Sequence, residues 1–177
     1  MDGEQVLTLC CVDRVGVCAQ CGFSWDATPA EATSEVERAA ALYSALLDRL
    51  GAEGLRQRPD ESVWSPIEHV GHVRDVTAFY SDRIEQIVTI DRPRLDAAGF
   101  AAMVEARRAV SEDSRAVLAE LQDDLLRTSA LLARLTLGDW QRVGIGSEGD
   151  ERTVLDLVRR LAHELCHHRS DLETTGR

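Results

Sequence analysis

The sequence contains no lysine and no asparagine, so all 20 of its basic side chains are arginine. That bias reflects codon usage in a GC-rich genome, not a physical requirement, and points to a high-GC bacterium. A basic cluster is also missing. The formal net charge is −11, which repels phosphate backbones, so no nucleic-acid partner is expected. No apolar run approaches the roughly 20 residues needed to span a bilayer, and no basic start leads into a hydrophobic signal region. A cytoplasmic protein with no membrane partner is therefore expected. In that compartment thiols stay reduced, and paired cysteines are more often metal ligands or redox groups than disulfides. Internal repeats, low-complexity linkers and strand alternation of useful length are absent as well.

What is present is helical periodicity. A chain of 177 residues fits one domain with a sizeable core. Helix one is expected from about Pro29 to Leu50, with Thr28 as N-cap, Pro29 in its first turn and Gly51 as its stop. Helix two begins at Ser65, where S-P-I-E offers a capping box from Ser65 and Glu68. It continues to about Val88 with an apolar face of Val70, Val73, Val76, Phe79, Ile84 and Ile87. A long connection containing Pro93 follows, with a short helical piece near Phe100. Helix three spans roughly Asp113 to Leu135. Trp140 and the glycines of GIGSEGD mark a loop, and helix four starts near Thr153, where Thr153 and Asp156 resemble a capping box. Four amphipathic helices with one long crossover predict an all-α four-helix bundle over residues 28–177, preceded by a cysteine-containing extension over residues 1–27. Ligand sites in such bundles are built from facing helices.

The five histidines fall into two of these helices: His69 and His72 in helix two, His163, His167 and His168 in helix four. Such clustering favours a shared metal site over scatter. On helix four, Val154, Leu157, Val158, Leu161, Leu165 and Leu172 form the apolar stripe. Glu164 and His168, spaced i and i+4, flank it, whereas His163 and His167 fall beside Asp156 and Arg160 on the polar side. The two pairs lie roughly 100° apart around the axis and should not share one ion. The competing reading is a solvated polar face with one partly buried histidine. Periodicity does not decide between His69 and His72 as the partner on helix two.

Cysteines crowd the N-terminus at Cys10, Cys11, Cys18 and Cys21. The last two form VCAQCGF, a C-x-x-C turn followed by the glycine that eases a zinc knuckle. One knuckle supplies two of the four ligands of a closed zinc site. Cys10 and Cys11, being adjacent, chelate poorly. His163 and His167, one helical turn apart, are the better complement, giving a second, structural set of Cys18, Cys21, His163 and His167. A redox dithiol and a frayed reduced tail are the competing readings, and residues 1–16 read as disordered or as lying upstream of the natural start.

The segments VWSPIEHVGHVRDV, LGDWQRVG and LAHELCHHRSDL together resemble the DinB-like superfamily, which includes mycothiol-dependent maleylpyruvate isomerases and bacterial thiol S-transferases. The VCAQCGF start resembles an actinobacterial subgroup. The resemblance spans Ala32 to Glu173 and implies an up-down-down-up bundle. It also implies a divalent ion held by His72, eight residues after Trp64, together with Glu164 and His168. His69 then takes a packing or supporting role. The nitrogen-rich ligand set favours zinc before nickel or iron, and by the same resemblance the ion activates mycothiol or a similar small thiol for attack on an electrophile. The expected partners are that thiol and electrophile, with a homodimer as the one protein assembly considered. Two rivals from other classes are a non-enzymatic metal-binding stress-response protein and a zinc hydrolase using the literal H-E-x-x-H of His163, Glu164 and His167. Arg74, Asp75 and Arg83 read as solvated charges, Trp64 and Trp140 as caps on the bundle ends, and Cys166 as an inert small residue.

Overall fold

The computed structural model describes residues 16–95 and 113–175. The expectations for Cys10 and Cys11 and for a short helix near Phe100 lie outside these residues. Four long helices dominate. The first, α1 (Pro29–Gly54), opens on a reciprocal cap: the Thr28 hydroxyl accepts from the Glu31 N–H, and the Glu31 carboxylate accepts from the Thr28 N–H at 2.8 Å. It is interrupted at Gly51, whose φ of 65° lies in the left-handed region that favours glycine, and one further turn follows. The second, α2 (Pro66–Thr89), starts where the Glu68 carboxylate accepts from both the N–H and the hydroxyl of Ser65. Asp113 caps α3 (Ser114–Ala133) by accepting from the Arg115 N–H at 3.1 Å. The last helix, α4 (Val154–Thr175), carries the Thr153 and Asp156 cap foreseen from sequence.

Cross-helix contacts fix the direction of each helix. Ala27 meets Arg159 and Glu35 meets Cys166, so α1 and α4 run parallel. Arg74 meets Glu120, Ser81 meets Thr128 and Glu85 meets Arg134, so α2 and α3 run parallel. The start of α2 faces the end of α4, since His72 lies against Glu164 and His69 against His168, so those two are antiparallel. The result is an up-down-down-up four-helix bundle, made possible by the long α2 to α3 crossover.

The core lies between these helices. Val36 and Tyr43 of α1, Ile67, Val70, Val73, Ile84 and Ile87 of α2, Leu121 and Leu125 of α3, and the whole stripe of α4 are buried. Each buried aliphatic side chain contributes about 1.5–3 kcal/mol relative to exposure. Phe79, expected in this face, is only half-buried. The Arg83 guanidinium lies 3.3 Å from its ring centre, so that arginine is a cover for an aromatic face rather than a free charge.

Two further departures from the sequence reading concern short-range structure and charge. A small antiparallel hairpin, β1 (Val143–Ile145) with β2 (Glu151–Thr153), precedes α4. Strands of three residues are too short to show alternation. The hairpin packs closely on the bundle: a Cβ at Gly144 would meet Leu95 Cδ1 at 2.7 Å. Just before it, Arg142 donates to the carbonyls of Ile87 and Ile90, and Trp140 is buried, so this end of the bundle is closed. Arg74 and Asp75 are not solvated. Both are buried and paired at 2.9 Å, with Glu120 3.2 Å from Arg74 on the facing helix. Burying either alone would leave an uncompensated charge, so the pair is tolerated as a unit.

Candidate functional site

At the opposite end of the bundle α2 and α4 bring His72, Glu164 and His168 together. His72 Nε2 lies 3.7 Å and His168 Nε2 3.4 Å from Glu164 Oε2. The i, i+4 spacing stacks Glu164 under His168 on one face of α4, and the antiparallel α2 supplies His72. These separations exceed a good hydrogen bond of about 2.7–3.2 Å. Ligand atoms about 2.1 Å from a tetrahedral ion are about 3.4 Å apart, which is the spacing found here. The three side chains offer one ligand atom each within 4.8 Å of one another and keep part of their surface open to solvent.

A second group lies behind them. His168 Nδ1 is 3.1 Å from His69 Nδ1 and 3.2 Å from Asp171 Oδ2. These are hydrogen-bond distances, so His69 and Asp171 hold the ring on the side away from Glu164. Trp64, expected as an end cap, roofs the same cluster. Its ring stacks on His168 at 6.1 Å with planes 19° apart and touches His69 and His72 at 5.4 and 5.3 Å. The sequence signal was its place immediately before the α2 capping residue. Tyr43 ties α1 to this turn of α4 by donating to the Leu165 carbonyl at 3.0 Å.

The electrostatics follow from this crowding. Burial disfavours charge on Glu164, but His168 and His72 outweigh it and hold its carboxyl far below the usual carboxylate range. For His168, burial opposes the proton while Asp171 and Glu164 favour it, bringing the ring to about 8. Burial and then neighbouring His168 push His69 down to about 4. One half-buried carboxylate thus faces two imidazoles across a gap wide enough for an ion.

His163 and His167 are not on a solvated face. They are 1% and 6% exposed, because the segment before α1 folds over them. Trp25 and Phe23 pack on His163 with ring centres 4.6 and 5.7 Å away, and Cys18 Sγ lies 3.8 Å from His167 Nδ1. Cys18, Cys21, His163 and His167 each bring a ligand atom within 4.8 Å of the others. Burial opposes ionisation of Cys18, yet the Cys21 backbone N–H and the rings of His163 and His167 bring it down to about 5. Burial and the adjoining Cys18 push Cys21 up to about 12. The H-E-x-x-H string is therefore split: its histidines meet the cysteines, and its glutamate meets His72 and His168. Cys166 is buried against α1, donating to Glu35 Oε2 at 3.3 Å. Burial and then Glu35 push its thiol up to about 11, which keeps it protonated and inert.

With this geometry in place the comparisons with known proteins fall into line. The family model of the DinB superfamily matches residues 35–172, which include all the helix-borne residues of both clusters. The chain belongs to the DinB superfamily. Among solved structures it is similar to YfiT from Bacillus subtilis, described as a probable metal-dependent hydrolase with an unusual four-helix bundle topology. The two share 20% sequence identity and superpose with a TM-score of 0.69, covering 82% of this chain and 86% of that one. No curated protein matches the chain. At that identity the DinB-like fold is what YfiT shares with this protein.

Proposed function

We propose that this DinB superfamily member is a metal-dependent enzyme that transfers or isomerises through a small thiol, with His72, Glu164 and His168 as the ion's protein ligands. The observation that carries the reading is the spacing of those three side chains, too wide for hydrogen bonds and right for edges of a coordination polyhedron. Three ligands leave positions open, as catalytic sites require. A divalent ion there supplies Lewis acidity that lowers the pKa of a thiol or water. Zinc suits the nitrogen-rich set, and nickel or iron would accept the same donors.

The chain's own residues do the positioning. With His168 Nε2 turned to the ion, its Nδ1 proton is donated to Asp171, which fixes tautomer and ring orientation. Trp64 and His69 exclude water from one side. Cys166, protonated and packed on Glu35, takes no part. The thiol is of the mycothiol type by resemblance of the two histidine-bearing helices to thiol-using relatives. A second reading is hydrolysis by activated water, favoured by the description of YfiT as a metal-dependent hydrolase.

The test is a two-arm assay on metal-loaded protein: mycothiol with a small electrophile in one arm, and an ester or amide without thiol in the other. Turnover confined to the thiol arm, lost in His168→Ala by about 100-fold or more, is the expected result, since second-sphere changes alone cost 10–100-fold. Turnover without thiol would establish the hydrolase. Turnover in neither arm would overturn both and leave the metal-binding stress-response protein.

A further inference from the structure

The N-terminal segment ahead of α1 makes a compact knuckle. The Cys18 N–H donates to the Phe23 carbonyl at 2.8 Å, and the Gly22 N–H donates to the Cys18 carbonyl at 2.9 Å. Gly22 adopts a φ of 75°, which a side chain would strain. Val17 and Ser24 pair across the turn, so both thiols are held on one side of a closed loop. The loop is anchored to α4 at several points: Arg159 donates to the Ala27 carbonyl at 2.7 Å, Ser170 reaches the Gln20 carbonyl, and Gln20 donates to Asp171.

We infer that Cys18, Cys21, His163 and His167 form a closed structural zinc site that fastens the N-terminal knuckle to the last helix. Neither the family match nor the structural neighbour assigns it. Four observations converge on it. The four ligand atoms lie within 4.8 Å of one another. The distance from Cys18 Sγ to His167 Nδ1, 3.8 Å, is close to the edge of about 3.6 Å expected between sulfur and nitrogen ligands of tetrahedral zinc. His163 is 1% exposed, and its Nε2 is buried without a hydrogen-bond partner. A polar atom sealed in this way costs about 1–3 kcal/mol unless something accepts its lone pair, and a metal ion does. Finally, Phe23 and Trp25 pack on the His163 ring, so this imidazole sits against aromatic faces where an unpartnered polar atom is disfavoured.

The donor set identifies the metal class. Two thiolates and two imidazoles in tetrahedral array select zinc over the hard cations that prefer oxygen. All four positions are filled by protein, so the site has no room for substrate and its role is structural. A dithiol redox pair would use the same cysteines but would leave His163 Nε2 orphaned. The zinc closes a contact between residues 149 positions apart, so its binding free energy adds to the stability of the folded chain.

The experiment is cobalt(II) substitution of the reduced full-length protein carrying no histidine tag, followed by absorption spectroscopy and metal analysis. The expected spectrum has a thiolate-to-cobalt charge-transfer band in the near ultraviolet and the visible bands of a tetrahedral ion. It should survive in His72→Ala, which removes only the other cluster, and should vanish in Cys18→Ser with Cys21→Ser. Native protein should carry two zinc ions per chain, and His72→Ala one. Wild-type protein that shows no thiolate band, or whose Cys18 and Cys21 titrate as free thiols or as a disulfide after metal loading, would overturn the site. Because the deciding spectrum is that of the wild type, a cysteine variant that fails to fold does not weaken the test. Loss of the band only in His72→Ala would likewise overturn the assignment.

Discussion

Two faces of the same helix turn carry metal-ligand chemistry of different character. On one face Glu164 and His168 meet His72 from α2, giving three oxygen and nitrogen donors that keep contact with solvent. On the other His163 and His167 meet Cys18 and Cys21, giving four donors, of which all but Cys21 are buried, with Phe23 and Trp25 packed on His163. The first arrangement leaves room for chemistry, and the second leaves none. On the proposed reading, ligand number and enclosure, rather than the identity of the histidines, divide a reactive site from a structural one. Asp171 stands between them, within 3.2 Å of His168 and hydrogen-bonded by Gln20 of the knuckle, so the closed face helps to orient a side chain of the open one.

Removing the closed site should have the largest effect on stability. A metal at a thousandfold excess over its Kd contributes about 4 kcal/mol to the folded state. In a domain of this size that amounts to a melting temperature lower by about 10 °C. Scanning calorimetry of Cys18→Ser with Cys21→Ser against wild type measures it. An unchanged melting temperature would break the contrast between the faces. Replacing the intermediary Asp171 with Asn should weaken cobalt binding at the open site by about 10-fold or more while leaving the thiolate band in place. Equal loss at both faces would show that Asp171 acts only through the fold.

A smaller effect belongs to acid. Burial opposes charge on Glu68, but Arg58, then Ser65, lower its pKa below the unfolded value. A depressed carboxyl stabilises above its unfolded pKa of about 4.3 and loses that contribution as pH falls through the folded value. Glu68→Gln should therefore be less stable than wild type by about 1 kcal/mol at pH 7. The gap should close below about pH 4, as urea unfolding at a series of pH values would show. Least of all, Cys166→Ser should leave turnover unchanged and shift stability by about 1 kcal/mol or less. Loss of activity in that variant alone would replace metal chemistry with covalent cysteine catalysis.

Much of the fold was legible because its signals are local. Thr28, Gly51, Ser65, Asp113 and Thr153 mark the helix ends through hydrogen bonds and backbone angles set within a few residues. The pairing of Glu164 with His168 was legible for the same reason, since i, i+4 spacing places them on one face. The burial of His163 and His167 was not legible, because a helical wheel shows only the polar side of its own helix and the residues that bury them come from the segment before α1. Arg74 was misread likewise: its partner Glu120 lies 46 positions away across the bundle. Three-residue strands carry too few positions to show a period, so the hairpin before α4 left no trace.

The most direct test of the two-faced helix is anomalous diffraction from crystals of zinc-loaded protein at the zinc edge. The expected map has two peaks per chain, one among His72, Glu164 and His168 and the other among Cys18, Cys21, His163 and His167. A peak held instead by His69 and Asp171, or no peak between α2 and α4, would contradict the proposed reactive site.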